Sequence, residues 1–331
     1  MSKGSDTVRV VVIGAGNMGK NHLRTYKDID NAELVGLSDV NPEAKQLAND
    51  YDIPFYTDYL EMIEDLKPDA VSIVVPTEFH FEIGKNVIER KINCLMEKPI
   101  ASTADEGIEL LELANKNNVI FTVGHIERYN PMIQKLKTII DKKTIGSVTS
   151  ILAKRVGGFP VIEPKTDVII DLAVHDIDII SFLIGNEPKS IIGHGSRTFH
   201  SSKVDSAEIF LNYGDASGFI QANWVTPVKI RTIAVTGTLG YVEGNYITQE
   251  LSVYKHRIEP SGESFKNFVK TMGDPEIEHI SDTPKEPLKI ELSSFIGAIL
   301  NNDPKGLVRP IEAISALSIA REAIDGAAAS N

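Results

Sequence analysis

Val8-Arg9-Val10-Val11-Val12-Ile13 runs directly into Gly14-Ala15-Gly16-Asn17-Met18-Gly19, and this junction decides the fold of the first part of the chain. A near-continuous apolar run of this length fits a strand covered on both faces, the habit of parallel sheets. Gly14 permits a tight turn after the strand. Gly16 lets backbone amides approach a pyrophosphate, and Gly19 lets the following helix pack closely on the sheet. The start of that helix, with Asn17 and Met18, offers unpaired N–H groups and a positive dipole end to phosphates. The glycine pattern alone is weak evidence. Here it follows an apolar strand, opens a helix and has Asp39 twenty residues after Gly19, at the end of the next strand. An acidic side chain there accepts hydrogen bonds from adenosine ribose hydroxyls and repels a 2′-phosphate. No arginine follows in Val40-Asn41, so NAD is favoured over NADP. The competing reading is a structural glycine turn with a solvated aspartate.

Working outward, strands and helices alternate to about residue 125. Asn17–Lys27 reads as a helix, Glu33–Ser38 as a strand and Pro42–Tyr51 as a helix opened by proline. Val71–Val75 and Asn93–Met96 read as buried strands. Thr103-Ala104-Asp105-Glu106 is a capping box before a helix through Leu113, and Val119–Val123 closes the sheet. This is the pattern of a doubly wound parallel α/β sheet, residues 1–125. After Pro131 come an amphipathic helix (Met132–Asp141), a strand (Val148–Val156), a Gly/Pro-rich loop (Gly157–Pro164) and a very apolar helix (Val168–Leu183). From Ile191 to about Tyr254 strands follow one another without helices, and since parallel crossovers need helices, this sheet is expected to be mostly antiparallel. Glu259–Glu286 reads as a polar excursion or loop. Helices near Leu288–Leu300 and Ile311–Ala329 finish an α+β domain of residues 126–331. Internal repeats and low-complexity segments are absent.

Composition narrows the function. The chain has 331 residues, enough for two domains, and a net charge of −12 from 46 acidic and 34 basic residues. That balance argues against nucleic acid or an anionic membrane as partner, so an anionic ligand needs a local basic cluster. A single cysteine, Cys94, excludes an internal disulfide and a cysteine zinc site, and its apolar flanks read as a buried strand. No metal site is expected. The polar N-terminus has no signal-peptide core and no apolar run approaches the roughly 18 residues that span a bilayer, so the expected location is the cytoplasm.

Two further motifs carry chemistry. Glu97-Lys98-Pro99 follows a strand end, and Pro99 biases Lys98 toward extended geometry. A lysine there can stabilise negative charge developing on oxygen; a surface lysine in a turn is the bland alternative. Asp171-Leu172-Ala173-Val174-His175 places a carboxylate and an imidazole four residues apart, on one face of a helix that is otherwise apolar nearly all round. From the residues alone this is either a self-satisfied core pair or a polar face lining a cleft. Asp178 lies one turn further and is ambiguous.

The order and spacing of these three motifs resemble the Gfo/Idh/MocA oxidoreductases, the glucose–fructose oxidoreductase and inositol dehydrogenase family, over nearly the whole chain. The resemblance implies a Rossmann domain binding NAD and a catalytic role for Lys98. It also places Asp171 and His175 at the substrate, with His175 as general base and Asp171 orienting it. It puts Pro76, Thr77 and His80 of Val75-Pro76-Thr77-Glu78-Phe79-His80 beside the nicotinamide half of the cofactor, with a helix-capping or surface histidine as the alternative for His80. Glu97 reads as a cofactor contact or structural partner. Arg128-Tyr129-Asn130-Pro131 matches a family segment at the domain junction, which brings Arg128 or Tyr129 near substrate.

Arg155-Val156-Gly157-Gly158-Phe159-Pro160 and Asn223-Trp224-Val225-Thr226-Pro227-Val228-Lys229-Ile230-Arg231 resemble the members that oxidise UDP-amino sugars at C3. This adds Arg155 to the substrate site. Lys229 and Arg231, two apart on an expected strand, would point to one face as a diphosphate clamp, against the alternative of an ordinary charged face. Trp224 reads as core or interface packing. The resulting expectation is NAD-dependent oxidation of a UDP-N-acetyl-hexosamine, UDP-N-acetylglucosamine first, to its 3-keto form. An inositol or simple-sugar dehydrogenase and a non-catalytic NAD-bound sensor or scaffold are the other readings. The helices assigned to the second half suffice to cover one sheet face, so a homo-oligomer built on that sheet is expected.

Overall fold

The computed structural model describes residues 7–160, 164, 166–200, 202–255 and 275–329. Contacts gather the chain into two units. The first runs to Tyr129 and takes in Glu286–Ser318; the second holds Asn130–Lys285 and the chain from Ile319. The sequence reading cuts the chain once, at 125/126. The contacts instead return a later segment to the first unit, because its apolar side chains complete that unit's core.

In the first unit β1 (Val8–Ile13) leads through the glycine turn to α1 (Asn17–Lys27) and β2 (Ala32–Ser38). The expected helix from Pro42 divides into a single 3₁₀ turn, Pro42–Ala44, capped by the Asn41 side chain, and α2 (Lys45–Asp50). Next come β3 (Phe55–Tyr56), α3 (Tyr59–Leu66), β4 (Ala70–Ile73), α4 (His80–Glu89), β5 (Asn93–Glu97), α5 (Ala104–Asn117) and β6 (Phe121–Gly124). The sheet order is β3-β2-β1-β4-β5-β6, parallel throughout. The order reverses between β1 and β4, which opens the ligand crevice of such sheets at their carboxyl ends. The Thr103 capping box is formed in full.

In the second unit α6 (Pro131–Asp141) leads to β7 (Val148–Val156). The expected single helix from Val168 starts with a π turn, Ile169–Ala173, before α7 (Val174–Ile184). Then follow β8 (Ser190–Ser196), β9 (Ser206–Asn212), β10 (Ser217–Asn223), β11 (Ile230–Gly237), β12 (Gly240–Asn245), β13 (Glu250–Lys255) and β14 (Glu276–Ile280). Their order is β14-β13-β12-β11-β7-β10-β9-β8, antiparallel except for β10 on β7. β14 falls inside the stretch read as a polar excursion. It is an edge strand whose charged residues Glu276 and Glu278 masked it as loop. Residues 259–274 of that stretch lie outside the described residues, as do 161–163 of the Gly157–Pro164 loop.

The chain ends in α8 (Pro287–Asn301) and α9 (Pro310–Ala329). Leu288, Leu292, Phe295 and Ile296 of α8 join Leu23 and Tyr26 of α1 in the core beneath β1. No helix of the described residues is long and apolar enough to cross a membrane.

One face of the second sheet carries Ile151, Ala153, Ile209, Leu211, Ile233, Val235, Val242, Leu251 and Val253, all buried. The other face carries one row across five strands, Ile192, Phe210, Phe219, Leu152 and Ala234, in register. Ile192 is 63% exposed and Leu152 54%, so this row is an apolar stripe at the surface. On the covered face Gly193 of β8 lies so close to α9 that a Cβ there would sit 2.1 Å from the Ala323 carbonyl oxygen. A backbone carbonyl cannot yield as a side chain would. Gly193→Ala is therefore expected to destabilise the protein by about 1–3 kcal/mol; an unchanged melting temperature would contradict this packing.

Candidate functional site

The glycine turn is built as the chemistry requires. Gly14 takes φ +108°, and a Cβ would meet the Val74 carbonyl oxygen at 2.5 Å. At Gly19 a Cβ would sit 2.0 Å from the Gly14 oxygen, so α1 presses on the turn. Gly16 differs: a Cβ there would meet nothing within 4 Å. That side of the turn is open, and no side chain caps the α1 N-terminus at Gly16. Unpaired amides facing open space, at the crevice between β1 and β4, fit the pyrophosphate of a dinucleotide. Asp39 is anchored rather than waving: its Oδ2 accepts from Ala15 N at 2.6 Å and its Oδ1 from Asn41 N at 2.8 Å. Beside it Val40 is 90% exposed, an apolar surface next to Asp39 that sequence reasoning missed. Pro76 and Thr77 stand at the carboxyl end of β4, Thr77 opening a 3₁₀ turn.

His80 is not placed to hold a ligand. It is buried, with Nδ1 at 2.8 Å from the Pro99 carbonyl and Nε2 at 2.9 Å from the Val75 carbonyl. Burial lowers its pKa; the two carbonyls and the carboxylates of Glu97 and Glu78 pull the other way without overcoming it. The ring ties the loop after β4 to the Lys98-Pro99 turn, whose peptide is cis.

Glu97 is likewise structural. Its Oε1 meets His22 Nε2 of α1 at 3.1 Å, and its Oε2 accepts from Lys98 N at 3.2 Å. Gly124 makes room, since a Cβ there would lie 3.1 Å from the carboxyl group. Burial alone would raise the Glu97 pKa, yet the hydrogen bond and charge of His22, with the Lys98 ammonium, hold it below the usual carboxylate range. The backbone of Lys98 is thus fixed while its side chain stays half-buried.

The second unit separates two roles that the sequence left open. From Val168 to Ile180 every residue is buried except Asp171, Leu172 and His175. The core ion pair of this helix is made by Asp176: Arg155 Nε donates to its Oδ2 at 2.8 Å and Nη2 to its Oδ1 at 2.9 Å. The guanidinium also lies 4.8 Å from the centre of the Tyr246 ring. Arg155, expected at the substrate, is instead buried and engaged in supporting the helix. The π turn that begins this segment, a device common at functional sites, contains Asp171. Asp178 is buried.

Other expectations are also corrected. Arg128 and Tyr129 are buried, and Arg128 pairs with Glu312 at 3.4 Å within the first unit. Lys229 precedes β11, so strand alternation does not align it with Arg231. Lys229 is exposed, whereas Arg231 Nη1 donates to the carbonyls of Val156 and Ile230. Trp224 is core, 3% exposed, and Cys94 is a buried thiol whose pKa burial raises.

Residues 8–125 match the family model described as "Oxidoreductase family, NAD-binding Rossmann fold", and residues 133–243 match "GFO/IDH/MocA C-terminal domain". The chain is 27% identical over 300 residues to the UDP-N-acetylglucosamine 3-dehydrogenase of Acidithiobacillus ferrooxidans, covering 90% of each. It is 28% identical over 249 residues to the scyllo-inositol 2-dehydrogenase (NAD(+)) of Bacillus subtilis, covering 70% of this chain and 73% of the relative. A solved structure of the Acidithiobacillus enzyme superposes with a TM-score of 0.87 over 98% of both chains at 24% identity.

Sequence reasoning missed Glu291 of α8. It is 1% exposed and neither carboxyl oxygen has a hydrogen-bond partner. Its place in the Leu288, Glu291, Leu292, Phe295 stripe was the available signal. Burial, and then the negative charge of Glu97, raise its pKa well above 4.5, so the folded chain holds a proton that the unfolded chain releases above that value. Stability from this group is full below pH of about 4.5 and is lost as pH rises towards the folded-state pKa. Glu291→Leu is expected to raise the melting temperature at pH 8, with the gain shrinking towards pH 5. A gain independent of pH would show that Glu291 does not titrate with folding.

Proposed function

The chain belongs to the Gfo/Idh/MocA oxidoreductase family, and we propose that it is an NAD-dependent dehydrogenase converting a UDP-N-acetyl-hexosamine, UDP-N-acetylglucosamine first, to its 3-keto form. What carries the reading is the exposure along Val168–Ile180: with Asp176 engaged by Arg155, Asp171 and His175 are the polar residues of the segment that keep access to solvent. His175 accepts the proton of the C3 hydroxyl at a ring nitrogen, and Asp171 orients the imidazole and binds substrate. Lys98 supplies the ammonium that stabilises negative charge building on that oxygen. A bound nicotinamide would supply the acceptor for the hydride that leaves C3.

The glycine turn with Asn17 and Met18 receives the pyrophosphate, and Asp39 the adenosine ribose. A carboxylate already committed to two backbone amides repels a 2′-phosphate, which supports NAD over NADP. The similarity to the Acidithiobacillus relative supports the nucleotide sugar. On a chain of net charge −12, exposed Lys229 is a cation suited to its diphosphate. The scyllo-inositol relative favours a second reading, an inositol or simple-sugar dehydrogenase. NADH absorbance with UDP-N-acetylglucosamine, free N-acetylglucosamine and inositol in turn separates the two readings.

In that assay His175→Asn should lower turnover on the order of 10²–10⁴-fold, the usual share of positioned acid–base catalysis. NAD affinity and melting temperature should hold. Lys98→Met should cripple turnover as well, by removing alkoxide stabilisation. A well-folded His175→Asn variant with near-normal turnover would remove His175 from the mechanism.

The apolar row from Ile192 to Ala234 supports assembly through the second sheet into a homo-oligomer. Light scattering at micromolar concentration should return a multiple of the 36.3 kDa chain; Leu152→Lys, placed mid-row, should shift the mass downward. A wild-type mass equal to one chain would contradict the assignment.

A further inference from the structure

Two aromatic rings stand at the surface on one edge of the second sheet, where β7, β8 and β10 end and β9 and β11 begin. Phe199 is 65% exposed and Phe159 39%. They meet edge to face at 6.4 Å, and Phe159 also packs edge to face on the buried Trp224 at 6.1 Å and stacks beside His200 at 6.4 Å. A phenylalanine left this open gives up most of the stabilisation that burial would return, so the feature calls for an occupant.

The backbone that carries Phe199 is held. The Asp205 carboxylate is buried and accepts backbone N–H bonds from Thr198, Phe199 and His200 at 2.6–2.9 Å. Burial alone would raise its pKa, but those donors keep it below the ordinary aspartate value. Asp205 O in turn accepts from Trp224 N at 2.9 Å. The same segment reaches the helix of Asp171 and His175: Val204 O accepts from Val168 N at 3.0 Å, and Val204 N donates to Asp167 Oδ1 at 2.6 Å.

Two exposed cations flank the segments that carry the rings. Arg197 immediately precedes the loop and is exposed, and exposed Lys229 has its Cα 4.0 Å from where a Cβ of Gly157 would stand, two residues before Phe159. Flat π surface beside positive charge, on a strongly acidic chain, suits a planar base joined to phosphates. An apolar partner protein would not account for the cations.

We propose that Phe199 and Phe159 form a stacking platform for the nucleobase of a nucleoside diphosphate, with Lys229 and Arg197 taking its phosphates. This rests on the nucleotide-sugar reading above and deepens it: the platform accounts for recognition of the base, about which Asp171, His175 and Lys98 are silent. Stacking tolerates any base, so the platform selects for the presence of a base more than for uracil.

Trp224 is the single tryptophan of the chain and lies against Phe159, so its fluorescence reports on the platform directly. The full-length protein is titrated with UDP and, at matched ionic strength, with inorganic pyrophosphate. UDP should change Trp224 emission saturably, and pyrophosphate should bind more weakly with little spectral change. Phe199→Ala removes an exposed ring and leaves the core intact; it should weaken UDP roughly 5- to 100-fold, the range of one base–aromatic stack. Phe199→Leu should not restore the loss, because it returns apolar bulk without a π face, whereas Phe199→Tyr should. With UDP-N-acetylglucosamine as substrate, Phe199→Ala should raise KM and leave kcat near the wild-type value.

Unchanged emission on adding UDP, or unchanged UDP affinity in Phe199→Ala, would overturn the platform. So would full rescue by leucine. Turnover of UDP-N-acetylglucosamine with wild-type KM in Phe199→Ala would remove the platform and leave the proposed function standing. Saturable UDP binding at Trp224 without turnover of any UDP-sugar would do the reverse.

Discussion

A guanidinium buried among apolar side chains must be matched by a carboxylate, and in the second unit the Arg155–Asp176 pair meets that demand. Breaking such a pair by removing one partner costs about 3–5 kcal/mol, so it is a constraint the helix cannot relax. Its consequence is positional. With Asp176 turned inward and bidentate to Arg155, the π turn and the first turn of α7 have their remaining polar side chains, Asp171 and His175, on the accessible side. The helix is apolar enough to be buried on every side, and the ion pair fixes which strip of it is not. The same pair holds Tyr246 beneath the guanidinium, and the Tyr246 carbonyl takes the Asn130 amide that caps α6. The start of the unit and the helix of Asp171 and His175 are therefore joined through one network.

The first unit solves the matching problem differently. His22 and Glu97 form a buried pair in which the carboxylate keeps its charge, and its second oxygen binds the Lys98 amide. Glu291, facing the same negative charge without a donor of its own, keeps its proton. One imidazole thus supports one carboxylate, and a second carboxyl in that region has to be neutral. The arrangement leaves the Lys98 side chain half-buried on a turn whose backbone is pinned. His80 pins it from the opposite side by way of the Pro99 carbonyl.

Much of this was legible in the sequence, and what was legible follows one rule: local patterns with a backbone reason could be read. The glycine turn, the β1 and β7 boundaries, the Thr103 capping box and the change from a parallel to an antiparallel sheet all rest on periodicity or on a residue's own conformational limits. What could not be read depends on partners distant in sequence. The resemblance put Arg155 at the substrate, and nothing local declares that Asp176 will take it, 21 residues on. His80 looked like a cofactor contact, yet its two carbonyl partners belong to loops fixed by strand order. Lys229 and Arg231 looked coplanar until β11 was found to begin between them. β14 was hidden because an edge strand uses charge to discourage further pairing, and charge is also what a loop uses. α8 was read correctly as a helix and assigned to the wrong unit, since an amphipathic stripe states that a face is buried and not what buries it.

The corrected residues share a pattern that bears on how the site works. Arg155 and Arg128 were expected near substrate, His80 and Glu97 were read as cofactor contacts with a structural alternative beside each, and all four are buried ties that fix a neighbour. Lys98, Asp171, His175 and Asp39, the groups given ligand roles in the proposed function, keep partial exposure. Side chains with obligatory buried partners gain their effect through the backbone they hold: Glu97 through Lys98 N, His80 through Pro99 O, Arg155 through the helix. Both kinds come from the same polar residue types at the same motif positions. Burial, which the linear pattern states least directly, divides them. For the reaction proposed above, the buried ties would fix the backbone on each side, within the turn of Lys98 and within the helix of His175, and the half-exposed groups would be the ones open to chemistry.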